Sequence, residues 1–348
     1  MIFLTHIEMG KSKHEKESYL GYWVRAFLCT YLTNIRNLSG NTMRAYRDAI
    51  KQLVSFVCKD RHIRAEEILV TDITSKVATS FLNDIEISRK CSIKTRNLRL
   101  SAIIALAKYI ASNSPEHIEW CREIRNIPVK KAPRTQITYL EKSEMDALLN
   151  TPAKNIEQGW RDYVLLLFLY NTGARAEEAA SLKIGDVYLP KGKGLAVVSI
   201  LGKGGKTRRC PLWDDTCKAL RGIIADRFSE EHVFLNRQHL PMSRFGVYEM
   251  VTRHADTLSK VMPSIKGKRV TPHTIRHTTA THLLQAGVDI NTIRAWLGHV
   301  SVETTNIYAE VNMEMKAKAL KSCEVKSEKT NYRWKDDKNL MDFLDSLK

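Results

Sequence analysis

The stretch Thr271-Pro272-His273-Thr274-Ile275-Arg276-His277 decides how the second half of this chain folds, because it joins a helix start to a group of basic side chains. Threonine is a good N-cap residue and proline suits the first helical position, so a helix is predicted to begin here. His273 and Arg276 are three residues apart and therefore share one face of that helix. Gly287 is predicted to end it.

Two further short helices follow. Asp289 and Gly298 bracket the first of them, and Ser301 opens the second, which carries Tyr308. His299 comes directly after the helix-ending glycine, where the chain turns sharply. The spacing therefore predicts that a histidine and a tyrosine lie one short helix apart.

Upstream, the pattern predicts one β-hairpin and a buried helix. Residues 195–201 and 207–212 have strand composition, and the glycine-rich turn 202–206 between them carries Lys203 at its tip. Residues 160–170 are apolar almost all round, which is typical of a core helix. Arg175 starts the next helix after Thr172-Gly173, so its side chain can point away from the core.

The composition favours a polyanionic partner. The chain has 348 residues, enough for two domains, and its 43% hydrophobic and 27% charged content is that of an ordinary globular protein. Its net charge of +17 is not ordinary, and both residues 1–130 and the remainder are basic. Two basic halves suit a protein that surrounds nucleic acid. The alternative is a charged surface that only keeps the protein in solution.

Other features predict a cytoplasmic location. The 7 cysteines are scattered without a Cys-x-x-Cys pair, which argues against structural zinc and a disulfide framework. The longest strongly apolar run, residues 164–170, is far shorter than a membrane span. The start Met1-Ile2-Phe3-Leu4 lacks the basic segment of a signal peptide.

Residues 19–111 have a helical pattern. Asn41 is predicted to cap a helix whose apolar positions recur at spacings of three and four: Met43, Tyr46, Ile50, Leu53, Val54 and Val57. Ser92 is predicted to cap another, with Leu98, Ile103, Leu106 and Ile110 facing inward. Basic residues on other faces of these helices are candidate phosphate contacts, with a merely solvated face as the alternative.

Residues 127–138 are predicted to form a linker. They contain two prolines and no helical period, and they carry Lys130, Lys131 and Arg134. A basic, extended tether between two basic domains could run along a DNA duplex.

Arg175, Lys203, His273, Arg276 and His299 around the single Tyr308 predict attack on a DNA phosphodiester. Making a phenolate at pH 7 costs about 4 kcal/mol, and a neighbouring base and arginine charges reduce that cost. Arginine donates to two phosphate oxygens at once as negative charge builds on them. Lys203 is the candidate acid for the leaving sugar oxygen. No metal or other cofactor is expected.

Two other interpretations, a zinc metalloprotease site and a Walker A nucleotide-binding loop, are excluded by particular residues. His273 and His277 have zinc-ligand spacing, but the metalloprotease pattern needs glutamate after the first histidine, and position 274 is threonine. Gly205-Lys206-Thr207 ends as a Walker A motif does. That motif needs glycine at position 200, which is Ile200, and a helix afterwards.

With these residues in this order, the chain resembles the tyrosine recombinase (phage integrase) family over about residues 18–325. The motifs that carry the resemblance are Thr172-Gly-Ala-Arg175-Ala-Glu-Glu178, Gly202-Lys203-Gly, His273-x-x-Arg276-His277, Leu297-Gly-His299 and Tyr308 in the second domain, and Phe27-Leu-Cys-Thr-Tyr31-Leu and Leu38-Ser-Gly-Asn41-Thr-Met-Arg-Ala-Tyr46-Arg in the first.

The resemblance implies a mechanism. Tyr308 would join covalently to a DNA 3′-phosphate, Arg175 and Arg276 would hold the scissile phosphate, and Lys203 would protonate the leaving 5′-oxygen. His273 and His299 would assist proton transfer and charge stabilisation, while Glu178 would orient its neighbours. Strands would be exchanged pairwise in a tetramer on double-stranded DNA through a Holliday junction.

The resemblance also implies the fold: mainly α with a small antiparallel β-sheet, in a two-domain C-shaped clamp. The expected parts are an N-terminal extension (1–17), a helical core-binding domain (18–126), the basic linker (127–138), a catalytic domain (139–325) and a C-terminal tail (326–348). The expected DNA contacts are Arg44, Arg47, Lys51, Lys94, Arg96, Arg99, Lys130, Lys131, Arg134, Lys206 and Arg208.

The C-terminal part of the sequence contains candidate surfaces for protein partners. Residues 313–320 could form a helix donated to a neighbouring subunit, as the family does. An apolar stripe at helical spacing follows in the tail, and we expect it to dock on a partner protomer: Leu340, Met341, Phe343, Leu344 and Leu347. Accessory proteins stay an open alternative, and no membrane partner is expected.

Three other functions compete. A type IB topoisomerase shares the chemistry but reseals a nicked strand without exchange. A non-catalytic architectural DNA-binding protein would have no reason to keep Tyr308 with its five partners. A metal-dependent nuclease or transposase would lose activity in chelator.

Overall fold

The computed structural model describes residues 16–36, 38, 40–133, 137–190, 192, 194–202, 204–298, 342 and 344–346. Within these residues the chain is mainly helical with one small antiparallel sheet, which confirms the predicted fold class. It divides into two compact units, residues 1–135 and 136–348. The division falls inside the predicted linker.

The first unit is helical. Its α-helices are α1 (Leu20–Ala26), α2 (Gly40–Arg61), α3 (Ser75–Ile87), α4 (Ile93–Asn113) and α5 (Ile118–Arg125). A π-helix, Phe27–Ile35, continues α1, and short 3-10 turns lie at Ala65–Glu67, Val70–Asp72 and Pro115–His117.

The core of the first unit follows the predicted helical periodicity. On α2, Ile50, Leu53 and Val57 are buried, and the equivalent buried set on α4 is Ile103, Leu106 and Ile110. The hydroxyl of Ser92 accepts a hydrogen bond from the amide of Thr95 at 3.2 Å, so the predicted N-cap of α4 is confirmed.

Two details differ from prediction. Helix α2 begins at Gly40, so Asn41 lies in its first turn, where the side-chain oxygen accepts from Arg44 Nη2 at 2.8 Å. Leu98 is 49% exposed, so its predicted inward position is wrong. It lies two residues before buried Leu100, and two residues rotate a helix by roughly 200°, to the opposite face.

The beginning of the predicted linker is tied to the first unit. Ile127 is buried in that unit's core. Arg96 Nη1 donates to the carbonyl oxygen of Pro128 at 2.9 Å, and Asn97 Nδ2 donates to that of Lys130 at 2.8 Å. The ammonium of Lys130 pairs with Glu86 at 2.9 Å. The tether between the units therefore starts after Lys130, later than the sequence predicted.

The second unit combines helices with the sheet. Its α-helices are α6 (Lys142–Leu149), α7 (Glu157–Thr172), α8 (Ala176–Ala180), α9 (Asp214–Ile224), α10 (Arg244–Ser259), α11 (Pro272–Gln285) and α12 (Ile290–Leu297). The strands are β1 (Val187–Tyr188), β2 (Val197–Leu201) and β3 (Thr207–Pro211), and 3-10 turns lie at Ile184–Asp186 and Pro263–Ile265.

The sheet has the order β1-β2-β3, with both pairs antiparallel. The predicted hairpin is confirmed by the β2–β3 register, in which Ile200 is opposite Arg208 and Val198 is opposite Cys210. The two-residue strand β1 was not predicted, because so short a segment has no periodicity to recognise. Gly204 and Gly205 at the hairpin tip have φ of +80° and +74°, which glycine adopts without strain.

Helix α7 is the centre of the second unit. Its residues from Val164 to Thr172 are all buried, so the predicted core helix is confirmed. Helix α11 begins as predicted, with Thr271 as N-cap and Pro272 at the first position. Asp289 caps α12, and Gly298 ends it in the left-handed region. Helices α7, α11 and α12 thus fix where the candidate site residues lie.

Candidate active site

The corner after helix α7 places Arg175. The helix ends at Gly173, whose φ is +60° and whose amide donates to the carbonyl of Leu169 at 2.9 Å. A Cβ at Gly173 would lie 2.4 Å from Cδ2 of Leu297, and the positive φ is strained for other residues, so glycine is favoured between α7 and α12. Arg175 is then the N-cap of α8, and its amide donates to Glu178 Oε2 at 2.9 Å.

The guanidinium of Arg175 is held from one side. Its Nη1 donates to Glu178 Oε1 at 2.6 Å, while the side chain keeps 39% of its surface exposed. Glu178 itself is 6% exposed. A fixed, half-open arginine is the type of group that can bind a phosphate.

Arg276 extends from helix α11 to the same corner. It is 1% exposed, and its guanidinium donates through Nη1 to the carbonyl of Gly173 at 2.7 Å and through Nη2 to that of Leu297 at 2.5 Å. A buried charge is tolerated only when it is well hydrogen-bonded, so these two carbonyls determine the arginine's orientation. Arg276 therefore joins the end of α7 to the end of α12.

Two histidines lie one turn apart on helix α11. The ring centroids of His273 and His277 are 4.3 Å apart, and His273 is the more exposed of the two. Burial, followed by the charges of Arg276 and Arg175, lowers the pKa of His273. Burial, followed by His273 and Arg276, lowers the pKa of His277 to about 4. Both rings are therefore neutral at pH 7, and a neutral imidazole can accept a proton.

Glu178 also binds a second arginine, Arg208, which the sequence analysis placed among the DNA contacts and not beside Glu178. Arg208 Nη2 donates to Glu178 Oε2 at 2.7 Å, and Arg208 Nε donates to the carbonyl of Trp296 at 2.9 Å. Burial opposes the charge of Glu178, but the hydrogen bond and charge of Arg208, followed by the amide and guanidinium of Arg175, lower its pKa to about 2. Glu178 is therefore a carboxylate at neutral pH.

Arg208 had been expected to contact DNA, and the structure corrects that expectation. Its side chain is 9% exposed and its charge is used by Glu178. A signal for this was present in the sequence, because strand side chains alternate and Arg208 is two residues from Cys210, which is fully buried.

Lys203, His299 and Tyr308 lie outside the described residues, but the residues just before the first two do not. A Cβ on Gly202 would lie 3.5 Å from Glu178 Oε1 and 3.6 Å from Arg208 Nη1. A Cβ on Gly298 would lie 3.1 Å from Arg208 Cδ and 3.3 Å from its Nη1. The chain leading to Lys203 and the chain leading to His299 therefore pass the same arginine.

The other predicted DNA contacts divide by exposure. Arg96 is 2% exposed and bonded to the linker, so it is not available to DNA and that expectation was wrong. Arg99 is half-buried and donates to the carbonyl of Ala45 at 3.3 Å. Arg134 lies outside the described residues. The exposed candidates are Arg44, Arg47, Lys51, Lys94, Lys130, Lys131 and Lys206.

The described residues contain neither a metal-ligand cluster nor a membrane-spanning helix. Among the described residues, no group of three or more His, Cys, Asp or Glu side chains could hold a metal ion. None of the helices in the described part of the chain is long and apolar enough to cross a membrane.

Comparison with known proteins identifies the family. The model of the phage integrase family matches residues 138–315, which contain the whole site. The protein y4rC of Sinorhizobium fredii, which is named as an integrase/recombinase, is 36% identical over 334 residues, covering 95% of this chain and 99% of that protein. The chain belongs to the phage integrase family.

Other relatives also support the assignment of this chain as a tyrosine-type site-specific recombinase. Tyrosine recombinase XerD of Halalkalibacterium halodurans is 29% identical over 283 residues, covering 79% of this chain and 89% of that protein. Two solved structures share the fold. The Tn1549 transposon integrase, in complex with a circular intermediate DNA, has a TM-score of 0.66 at 17% identity and covers 86% of this chain and 99% of that one. The XerH site-specific recombinase, bound to its difH substrate, has a TM-score of 0.62 at 23% identity and covers 83% of this chain and 81% of that one.

Proposed function

We propose that this recombinase cuts and rejoins double-stranded DNA through a covalent bond between Tyr308 and a 3′-phosphate. The observation that carries the proposal is the meeting of Arg175, His273 and Arg276 around the corner at Gly173. Arg276 donates to the Gly173 carbonyl, Arg175 lies two residues further on, and the charges of both arginines act on His273. Cations fixed at one point suit a phosphate whose negative charge grows during attack.

The step is a direct displacement at phosphorus. The Oη–P bond to Tyr308 forms while the bond from phosphorus to the 5′-oxygen breaks. The phenol proton passes to His273, whose neutral ring can accept it, and Lys203 gives a proton to the leaving oxygen. The two arginines and His299 donate hydrogen bonds to the non-bridging oxygens. Rejoining is the reverse step with a different 5′-hydroxyl.

The reaction uses no metal or nucleotide cofactor. The phosphotyrosyl bond keeps the energy of the broken phosphodiester, so resealing requires no hydrolysis of ATP. Glu178 supports the site by fixing Arg175 rather than by reacting, since its low pKa keeps it ionised.

The assembly is a tetramer that exchanges strands in pairs through a Holliday junction. Each protomer would bind DNA with both of its basic units, with the exposed basic residues against phosphates. The linker would run along the DNA duplex, and the C-terminal tail, residues 326–348, would dock on a neighbouring subunit. If removal of residues 331–348 leaves recombination unchanged, the tail has no such role.

The first test is covalent capture. A nicked suicide substrate releases the short strand after cleavage and traps the intermediate, which denaturing electrophoresis shows as a protein–DNA band. We expect that band from the native protein and from Tyr188→Phe, a matched control at an exposed tyrosine of the same unit, 62% exposed. Tyr308→Phe should bind the substrate equally well and give no band. A band of undiminished yield from Tyr308→Phe would contradict the proposal.

Product analysis separates exchange from simple relaxation. A plasmid with two cognate sites should give rearranged circles, whereas a topoisomerase would only remove supercoils. The relatives named for integration and recombination favour the first outcome.

A further inference from the structure

Arg208 has an unusual position for a basic residue next to a phosphate-binding site. It lies on β3, opposite Ile200 on β2, and its side chain points to the buried face of the hairpin. It donates to Glu178 in one direction and to the Trp296 carbonyl in another. None of these contacts leaves its charge pointing to solvent, so it is not placed to bind DNA.

Arg208 contacts the segments that lead into two site residues. Gly202, which precedes Lys203, lies against Arg208 Nη1 and Glu178 Oε1. The hairpin closes there, because the Gly202 amide donates to the Lys206 carbonyl at 2.8 Å. Gly298, which precedes His299, lies against the Arg208 side chain from the other side.

The carboxyl end of α12 is held by two arginines at successive carbonyls. Arg208 binds the carbonyl of Trp296, and Arg276 binds the carbonyl of Leu297. Donors at the last carbonyls satisfy groups that a helix end leaves open, and positive charge is favourable there. The end of α12 is thus fixed both to α11 through Arg276 and to the hairpin through Arg208.

We propose that Arg208 is a positioning residue that holds the hairpin tip against Glu178 and the end of α12, so that Lys203 reaches the leaving 5′-oxygen. This rests on the function proposed above. Arg208 does not touch the DNA itself; it acts through Lys203.

The geometry requires arginine rather than any cation. The guanidinium is planar and donates to Glu178 from Nη2 and to Trp296 from Nε along two directions fixed by one plane. A lysine ammonium at the same place would keep the charge opposite Glu178 but has no second donor rigidly fixed along the other direction. Arg208→Lys therefore loosens the hairpin while preserving the ion pair.

The experiment compares two DNA substrates cleaved by the same enzyme sample. One has the ordinary 5′-bridging oxygen at the scissile phosphate, and the other has sulfur there. A thiolate leaves without a proton, so any defect in acid catalysis disappears on the sulfur substrate. For Arg208→Lys we expect covalent complex formation to fall about 100-fold on oxygen and to change little on sulfur, since general acid catalysis contributes roughly 10²–10⁴-fold.

Two variants calibrate the result. Lys203→Ala, which removes the acid itself, should show the same dependence on the leaving atom. The double variant should be no slower on oxygen than Lys203→Ala alone, because the two residues act as one unit. Arg161→Lys is the matched control: Arg161 is a partly buried arginine that pairs with buried Asp162 and donates to the Leu235 carbonyl at 3.0 Å, away from the site. It should affect both substrates equally.

The ratio of the two rates does not depend on how much of a variant is folded, because both substrates meet the same active molecules. If Arg208→Lys slows both substrates by the same factor, or neither, the positioning role is refuted. Arg208→Gln gives the same ratio test if lysine yields too little active protein. If the native protein forms no covalent complex at all, the proposed function fails instead.

Discussion

At the scale of single residues, the site is built from charges that neutralise or satisfy one another before any substrate binds. Glu178 is shared by Arg175 and Arg208, and Arg276 is bound to two carbonyls. Because such groups are already oriented before a phosphate binds, they need little reorganisation during the reaction. This preorganisation is the main source of electrostatic catalysis. Burial, together with the positive charge of the neighbouring arginines, lowers the pKa of the nearby histidines.

His277 gives the protein a predictable response to acid. Its pKa is about 4 in the folded protein against 6.5 for an ordinary histidine, so the unfolded chain takes up the proton first as pH falls. We expect the free energy of unfolding to decrease between pH 6.5 and about pH 4, measured by urea denaturation across that range. In His277→Gln this part of the decrease should be smaller. An identical pH profile in the variant would show that His277 is not responsible.

At the scale of secondary-structure elements, each site residue is placed by a helix end or a turn. Arg175 caps α8, His273 and Arg276 occupy the first turns of α11, and Gly298 ends α12. Ends of helices are where backbone groups lack internal partners, so side chains placed there are both bonded and directed outward. The integrity of these ends is therefore a condition for activity.

The N-cap of α11 tests this dependence. The Thr271 hydroxyl accepts from the amide of Thr274 at 3.3 Å, and loss of such a cap costs about 1 kcal/mol of stability. Thr74→Ala removes an equivalent cap from α3 in the first unit, where the hydroxyl accepts from Val77 at 3.2 Å. We expect both variants to lose similar stability in urea denaturation, but only Thr271→Ala to slow covalent complex formation. Equal rates in the two would separate the α11 cap from catalysis.

At the scale of the whole molecule, the chain has two basic units, each with its own hydrophobic core. Both are suited to binding a polyanion. The net charge of +17 is divided between them, although Arg96 and Arg208 are each paired with a carboxylate inside the protein and are therefore not expected to bind phosphates. The remaining candidates are exposed side chains on the helices of the first unit, on the linker and at the hairpin tip.

The salt dependence of DNA affinity in single variants can show which of these residues bind phosphates. Each neutralised phosphate releases a counterion, so the logarithm of the affinity should fall linearly with the logarithm of salt concentration. Lys94→Gln removes an exposed charge near the start of α4 and should reduce the slope by about one. Lys154→Gln is the control, an exposed lysine over the ring of Tyr163 that is not among the proposed contacts, and its slope should match that of the native protein. An unchanged slope for Lys94→Gln would remove that residue from the interface.

Much of the fold is local and was therefore predictable. Thr271-Pro272 and Asp289 with Gly298 act within a few residues, so the bounds of α11 and α12 followed from side-chain chemistry alone. The hairpin followed in the same way from alternating apolar residues around a glycine turn. Leu98 was assigned to the wrong face because a periodicity can be extended one step too far when nothing local contradicts it.

The sequence by itself determined the type of chemistry, because six residues in order within their motifs select the family: Arg175, Lys203, His273, Arg276, His299 and Tyr308. Only the tertiary structure decided how the basic residues divide between binding and support. Arg96 and Arg208 look like surface cations in the sequence, yet both are enclosed by carboxylates and carbonyls that lie 10 to 88 positions away. Burial of a charge depends on partners that folding brings together, and no local pattern encodes which distant groups those will be.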